Sequence, residues 1–138
     1  MKYTKATNYA LHTVAYMIAH DKTDNLGLQM LASHFNISAT YLSKILTQLV
    51  KAGLIQSTPG VNGGYVLRKK KEDISFMDVI KAIEGTGALF NCELHGEEDK
   101  CSILKIMAEA ETVMETYLEN KKLYEVVQDI TTNEIGKE

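Results

Sequence analysis

The segment Ser38–Leu67 constrains the fold of this 138-residue chain more than any other stretch. Its first half repeats leucine and isoleucine on one side of a helix and places small polar and basic residues on the other. Its second half is a glycine-rich hairpin, with strands expected at Leu54–Ser57 and Tyr65–Leu67 around the turn sequence PGVNGG. A polar helix face followed directly by a tight two-stranded loop suits the grooves of duplex DNA. The segment therefore predicts a winged helix-turn-helix.

The residues before this segment supply the rest of that motif. Thr4 can cap a first helix that ends near His20, and the apolar spacing of Gly27–Phe35 indicates a second, short helix. Ser38 is a good N-cap for the helix that follows, because its hydroxyl can accept a hydrogen bond from an unpaired backbone N–H. Two short helices joined by a few residues form a helix-turn-helix, whose second helix enters the major groove.

The second half of the chain is expected to be helical as well. Ser75 can cap a short helix at Phe76–Glu84, and Thr86–Lys100 shows no regular period and reads as a loop. A long helix is predicted for Cys101–Glu119, and a last short one for Leu123–Ile130. The fold class expected is mainly α with a small β-wing, in which a winged helix-turn-helix head is joined to a long C-terminal dimerisation helix.

The charge of the chain is divided between its halves. The net charge is −3, but residues 1–71 hold nine Lys or Arg and two acids, a net charge of +7, and residues 72–138 hold six Lys and sixteen acids, a net charge of −10. Such polarity presents a basic module to a polyanion, unless it is only a solvated acidic helix. We expect a DNA-binding domain at 1–71, a connecting helix and sensor loop at 72–100, and a dimerisation helix and tail at 101–138.

The outward face of the second helix carries the candidate base-reading groups. Its hydroxyls and its amide can hydrogen-bond base edges, and its lysines can neutralise phosphates. The alternative is an ordinary solvated helix face, and for the wing glycines an ordinary tight turn. The predicted DNA-binding residues are Ser38, Thr40, Tyr41, Ser43, Lys44, Gln48 and Lys51 in the helix and Ser57, Gly60, Asn62 and Gly63 in the wing.

Other classes of protein lack their signatures here. No apolar run approaches the roughly 20 residues of a membrane span, and the N-terminus does not resemble a secretory signal, so we expect a cytoplasmic protein with no membrane partner. No nucleophile elbow, phosphate loop or HExxH motif occurs, so we predict no enzymatic activity. A winged-helix adaptor that binds only proteins is the main alternative, and the +7 head argues against it.

Several short motifs occur in order along residues 1–130. They are Tyr9-Ala10-Leu11, Ser38, Tyr41-Leu42, Ala52-Gly53-Leu54-Ile55, Ser57, Gly60, Gly63-Gly64-Tyr65, Leu67, Ile74, Asp78-Val79 and Ala82-Ile83-Glu84-Gly85. Through these motifs the chain resembles the Rrf2 family of bacterial winged helix-turn-helix transcription regulators. The Gly-Gly-Tyr hairpin and the Ala-Ile-Glu-Gly helix end are the most specific of them together.

The resemblance implies a homodimer that binds a palindromic operator in double-stranded DNA, most simply as a repressor. The long C-terminal helix would pair with that of the partner subunit. Its apolar stripe is wider than a small head can cover, which is compatible with a dimer, although a helix packed on its own domain is the alternative. The predicted interface residues are Ile103, Ile106, Met107, Ala110, Val113, Met114 and Tyr117.

The resemblance also implies a sensor in the loop. Many relatives hold an iron–sulfur cluster with three cysteines, whereas this chain has only Cys92 and Cys101 and no cysteine near Met107–Glu109. Even with His95 or an acid of Glu97–Asp99, two thiolates make an incomplete ligand set, so no cofactor is assigned and a cluster stays an alternative. The others are thiol oxidation or a reversible disulfide, and cysteines that only pack. A small-molecule or protein effector is also open.

The wing departs from the family pattern at one position. Some relatives carry an arginine just before the wing glycine, where it enters the minor groove. This chain has Pro59 there, and Asn62 can hydrogen-bond in the groove instead. The sequence preference at the flanks of the operator is therefore left open by the resemblance.

Overall fold

The computed structural model describes residues 3–22, 26–94 and 101–129. In these ranges the helices are α1 (Lys5–Ala19), α2 (Leu28–Phe35), α3 (Ala39–Lys51), α4 (Phe76–Glu84) and α5 (Ser102–Glu119), the strands are β1 (Ile55–Thr58) and β2 (Gly64–Leu67), and short 3-10 turns occupy Lys71–Asp73 and Leu123–Glu125. The mainly helical fold with a two-stranded wing is confirmed. None of the described helices is long and apolar enough to cross a bilayer.

The helix-turn-helix forms as its local sequence predicts. Asn36 ends α2 in the left-handed conformation (φ 55°), which reverses the chain between α2 and α3. The Ser38 hydroxyl then accepts the backbone N–H of Tyr41 at 3.1 Å, as expected of an N-cap. Gly53 (φ +79°) follows α3 with a left-handed backbone, so the chain turns sharply into the wing. The buried face of α3 consists of Leu42, Ile45, Leu46 and Leu49.

The wing is an antiparallel hairpin, and its strands lie close to the expected positions. Ile55 pairs with Leu67 at the base and Thr58 with Gly64 near the tip, so β1 begins one residue later than predicted. Leu54 stays out of the ladder because its carbonyl accepts the N–H of Arg68 at 3.0 Å.

The second half of the chain returns to the same core. Ser75 and Asp78 form a reciprocal capping box at the start of α4, as the sequence predicts for Ser75. The N–H of Leu123 donates to the Ile74 carbonyl at 3.0 Å, and Leu123 and Val127 are buried with the side chains of α1. The predicted last helix is a 3-10 turn at 123–125 followed by helical residues 127–129, and its final residue lies outside the described ranges.

The start of α1 is capped differently from the prediction. Thr4 occupies the N-cap position, but its side chain makes no capping hydrogen bond to the backbone of α1. The Glu84 carboxylate at the end of α4 does so instead. It accepts the backbone N–H of Thr4 at 2.8 Å, the Thr4 hydroxyl at 3.0 Å and the Thr7 hydroxyl. The local capping pattern was therefore wrong here, because a carboxylate distant in sequence outcompetes the local hydroxyl at the positive end of the helix.

These contacts make α1 sensitive to the charge of Glu84. The hydrogen bond from Thr7, partly offset by burial and aided by Thr4, holds the pKa of the Glu84 carboxyl below its usual range. Because the folded-state pKa is lowered, the stabilisation is complete above the unfolded carboxyl pKa of about 4.3 and is lost as the pH falls through the folded-state pKa.

We predict that Glu84→Ala lowers the free energy of unfolding by about 1 kcal/mol at neutral pH, because the start of α1 loses its cap. Urea denaturation of both proteins should show that the difference narrows as the pH falls below the usual carboxyl range. The control is Glu109→Ala, which removes an exposed acid from α5. A difference that is the same at acid and neutral pH would contradict this role for the Glu84 charge.

Candidate nucleic-acid interface

The outward face of α3 is the centre of the candidate interface. Thr40, Lys44, Gln48 and Lys51 recur at helical spacing and are all exposed or half-buried at most, opposite the buried leucine and isoleucine face. Ser38 is exposed or half-buried at the N-terminus of the helix, and the remaining predicted helix residues, Tyr41 and Ser43, are half-buried. The structure thus brings the predicted helix residues together on one accessible surface.

Tyr41 is held in position by α1. Its ring meets that of Tyr9 edge to face, with centroids 5.9 Å apart and an interplanar angle of 87°. Sequence reasoning missed Tyr9 as a supporting residue, although it lies in the Tyr9-Ala10-Leu11 motif. Its apolar spacing marked it as part of the buried stripe, and only packing shows that it contacts Tyr41.

The electrostatics of this surface are set by an absence of acids. The 47 residues 25–71 contain no Asp or Glu, so no carboxylate from within the helix-turn-helix or the wing opposes the lysines of α3. Within the described residues, neither Lys44 nor Lys51 forms a salt bridge. Both ammonium groups are therefore available to an external anion, at positions where phosphates would flank an inserted helix.

The basic run after the wing is only partly available. Lys69 lies 2.8 Å from the Asp78 carboxylate, and Lys71 lies 2.9 Å from that of Asp21. Burial acts to raise the pKa of Asp78, but the hydrogen bonds from Lys69 and the Ser75 backbone outweigh it and hold that pKa below its usual range. The hydrogen bond from Lys71 lowers the pKa of Asp21 in the same sense.

These pairs reduce the positive charge that the run can offer to DNA. Arg68 and Lys70 are exposed and form no salt bridge within the described residues. The count of charges along the sequence therefore overstates the charge available beside the wing.

The wing presents its predicted residues at one end of the hairpin. Ser57, Gly60 and Asn62 are exposed, and Gly63 is half-buried. A Cβ at Gly63 would lie 2.2 Å from the Thr58 carbonyl oxygen, so only glycine fits. Gly60 has φ +99°, which also favours glycine.

The two cysteines lie at the junction of the head with α5. Cys101 is buried, and its Sγ accepts the backbone N–H of Leu104 at 3.4 Å, so the sulfur caps α5. Cys92 is half-buried, and both are free thiols. The segment that carries Cys92 is tied to α5 by a hydrogen bond of 2.9 Å from the Leu89 N–H to Glu111. A change at either sulfur is thus close to the start of the long helix.

The donor set near these cysteines does not fit an iron–sulfur cluster. In the part of the chain that the structure describes, no three His, Cys, Asp or Glu side chains come together as a metal site. His95 and the acids Glu97–Asp99 lie outside the described residues. The whole sequence contains two cysteines, and a cluster of the usual kind takes four protein ligands, mostly thiolates. No step is therefore derived through a cluster.

The long helix α5 has two apolar faces. Met107 and Met114 are half-buried, and the Met114 sulfur lies 3.7 Å from the hydroxyl of Tyr3. A second face points away from the head at 3-4-3-4 spacing, and it consists of Ile103 (67% exposed), Ile106 (62%), Ala110 (exposed), Val113 (70%) and Tyr117 (60%). The seven predicted interface residues therefore divide between an inner and an outer face.

A cavity of about 210 Å³ separates the head from α5. Its walls come from α4, from residues 85–89 and from the inner face of α5. Lys81 on α4 reaches across to Glu119 on α5 at 3.4 Å. The head and the long helix thus meet through a loosely filled junction rather than a continuous core, which sequence periodicity alone did not indicate.

Comparison with known proteins identifies relatives along almost the whole chain. The Rrf2 family model, described as an iron-dependent transcriptional regulator, matches residues 3–129. The protein YffB of Lactococcus lactis, described as a putative HTH-type transcriptional regulator, is 38% identical over 112 residues, which are 75% of this chain and 72% of that protein. The HTH-type transcriptional regulator NsrR of Halalkalibacterium halodurans is 30% identical over 137 residues, 97% of this chain and 92% of the relative.

The fold also matches a solved structure. The structure of CymR, the global cysteine regulator of Bacillus subtilis, superimposes with a TM-score of 0.73 and covers 93% of this chain and 97% of that one. The two sequences are 24% identical, so this similarity concerns the fold alone.

Proposed function

The chain belongs to the Rrf2 family of transcriptional regulators, and from this premise we propose that it is a homodimeric repressor that binds a palindromic operator. The observation that carries the proposal is the outward face of α3, where accessible hydroxyl, amide and ammonium groups stand in a 47-residue stretch without an acid. Such a face can form hydrogen bonds to base edges and ion pairs to phosphates at once.

The roles of the α3 residues follow from their positions. Ser38, Thr40 and Tyr41 are at the N-terminal end of the helix, the end that reaches base edges in a helix-turn-helix. Lys44 and Lys51 lie further along the same face, where they would neutralise phosphates and release counterions. The wing then lies beside the duplex, because it follows α3 with only Ala52–Leu54 between them.

We predict that Tyr41→Ala combined with Lys44→Ala weakens binding more than tenfold, because the double variant can form neither the base contact nor the phosphate ion pair. Binding is measured by fluorescence anisotropy on a duplex that the wild-type protein has selected from a random pool. The matched control is Lys121→Ala, which removes a lysine far from α3. Sedimentation should show the same oligomeric state in each protein. Unchanged binding by the double variant would refute this assignment of α3.

The homodimer rests on the outer face of α5. A 3-4-3-4 spacing of apolar residues is the pattern by which two helices pack along a seam. Five such residues, spread from Ile103 to Tyr117, expose a continuous apolar strip that a single subunit leaves uncovered. Two subunits joined along this strip would present two recognition helices to two half-sites, as a palindrome requires.

We predict that Val113→Glu converts the dimer to a folded monomer at micromolar concentration, because each seam would bury an unpaired carboxylate. Thr112→Glu is the matched control, since Thr112 is exposed or half-buried on α5 and does not belong to the strip. Analytical ultracentrifugation distinguishes the two states, and circular dichroism checks that the helices persist. If Val113→Glu remains dimeric, the strip is not the interface.

The signal of this regulator is proposed to be oxidation at Cys92 and Cys101. Disulfide formation would release two electrons and two protons, and a peroxide oxidant would accept them and be reduced to water. The bond would also withdraw the Cys101 sulfur from its contact with the Leu104 N–H. Oxidation would thus remove the cap of α5 and alter the junction through which the head meets the dimer helix.

We predict that anaerobically purified protein is colourless and that mild peroxide reduces its free thiols from two to none per chain. DNA affinity should change with the thiol count in the wild type and stay constant in Cys92→Ser. Thiol titration and anisotropy on the same samples measure both. Visible absorption with bound iron would replace this proposal with a cluster, and two thiols that survive peroxide would also overturn it.

A further inference from the structure

The tip of the wing is uncharged. Between Thr58 and Tyr65 the chain reads Pro-Gly-Val-Asn-Gly-Gly, and the first basic residue after it is Arg68, beyond the end of β2. Attraction to phosphates, which lysine and arginine supply, is therefore not available at the tip itself. Whatever the tip contributes on DNA must come from shape, hydrogen bonding or apolar contact.

The turn at the tip is held in a single shape. The Gly63 N–H donates to the Gly60 carbonyl at 3.0 Å, and the Gly64 N–H donates to the Thr58 hydroxyl at 3.0 Å. Gly63 has no room for a side chain, as the 2.2 Å approach of a Cβ to the Thr58 carbonyl shows. The backbone of residues 60–63 is therefore preorganised, and little conformational entropy would be lost when it meets a ligand.

The hairpin is also fixed to the head at its base. Tyr65 and Leu26 exchange two backbone hydrogen bonds, of 2.9 and 3.2 Å, so a residue next to α2 acts as a short third strand. The tip therefore projects at a defined distance and direction from α3, as a second reading element must.

Val61 stands at the end of this rigid projection. Its side chain is fully exposed, and turn positions of this kind are dominated by Gly, Asn, Asp and Pro. A β-branched apolar side chain there contributes nothing to the core and has no neighbour to cover it in the described structure. Its two methyl groups are the outermost apolar surface of the wing.

We propose that Val61 is a specificity-determining residue that reads the minor groove at the flanks of the operator and favours A·T over G·C pairs. The inference rests on the proposed DNA-binding function. Both kinds of base pair present acceptors in the minor groove, but G·C adds the N2 amino donor of guanine. Valine cannot accept a hydrogen bond, so covering G·C would leave that donor buried and unpaired.

Groove width acts in the same direction. A·T tracts have a narrow minor groove, whose sugar walls would contact both methyl groups of a valine inserted between them. Apolar side chains of minor-groove proteins make such contacts with base steps. Because Val61 is neutral, its contribution should be independent of salt, unlike that of Lys51 on α3.

The test is selection and sequencing of 30-base-pair random duplexes by the wild type, Val61→Ala, Val61→Thr and Lys51→Ala. The wild type should enrich a palindrome with A·T pairs at its flanks. Both Val61 variants should keep the centre of the palindrome and lose the flanking preference. On the selected duplex, Val61→Ala should bind about tenfold more weakly for each wing that touches DNA, with an unchanged salt slope.

Lys51→Ala is the matched control. It should lower the salt slope by about one for each phosphate that the lysine would neutralise, and it should keep the flanking preference. Thermal unfolding should be the same for all four proteins, since Val61 is outside the core. If the wild type enriches no sequence, the proposed DNA-binding function fails. If it enriches a palindrome whose A·T flanks persist in both Val61 variants, the role of Val61 alone is overturned.

Discussion

The Glu84 carboxylate is the group on which the arrangement of this molecule depends. It lies at the end of α4, yet it closes the start of α1, 80 residues earlier, by accepting hydrogen bonds from Thr4 and Thr7. The helix α1 carries the core beneath α3 and supports Tyr41 through Tyr9. The chain that leaves Glu84 leads to α5. One carboxylate at the positive end of a helix therefore joins the element that would read DNA to the path toward the long helix.

Tertiary contacts also decide where the positive charge of the head is available. Lys69 and Lys71 form ion pairs with carboxylates of neighbouring elements, whereas Lys44 and Lys51 form none within the described residues. Charge is thus withdrawn from the back of the wing and retained on α3. The acids of α5 are held on a separate element, where they would be repelled by a polyanion. This polarity favours one orientation of the protein as it approaches a duplex.

Features that depend on nearby residues were predicted correctly from the sequence. The caps at Ser38 and Ser75 join residues three apart, and the left-handed backbone at Gly53 is a property of that residue and its neighbours. The start of β1 was displaced by one residue because Leu54 bonds to the exit of the hairpin instead of its ladder. The cap of α1 was assigned to Thr4, since nothing in the adjacent sequence reveals a carboxylate that arrives from α4.

By itself, then, the sequence determined the order of the helices, the hairpin, the buried face of α3 and the candidate residues of its outward face, because periodicity and capping act within a few residues. Tertiary structure alone decided that Glu84 caps α1, that Tyr9 supports Tyr41, that the apolar stripe of α5 splits into two faces, and that Val61 stands uncovered at the end of a braced wing. The reason is that each of these depends on which distant segments pack together. Packing free energy is shared among residues that no spacing rule connects.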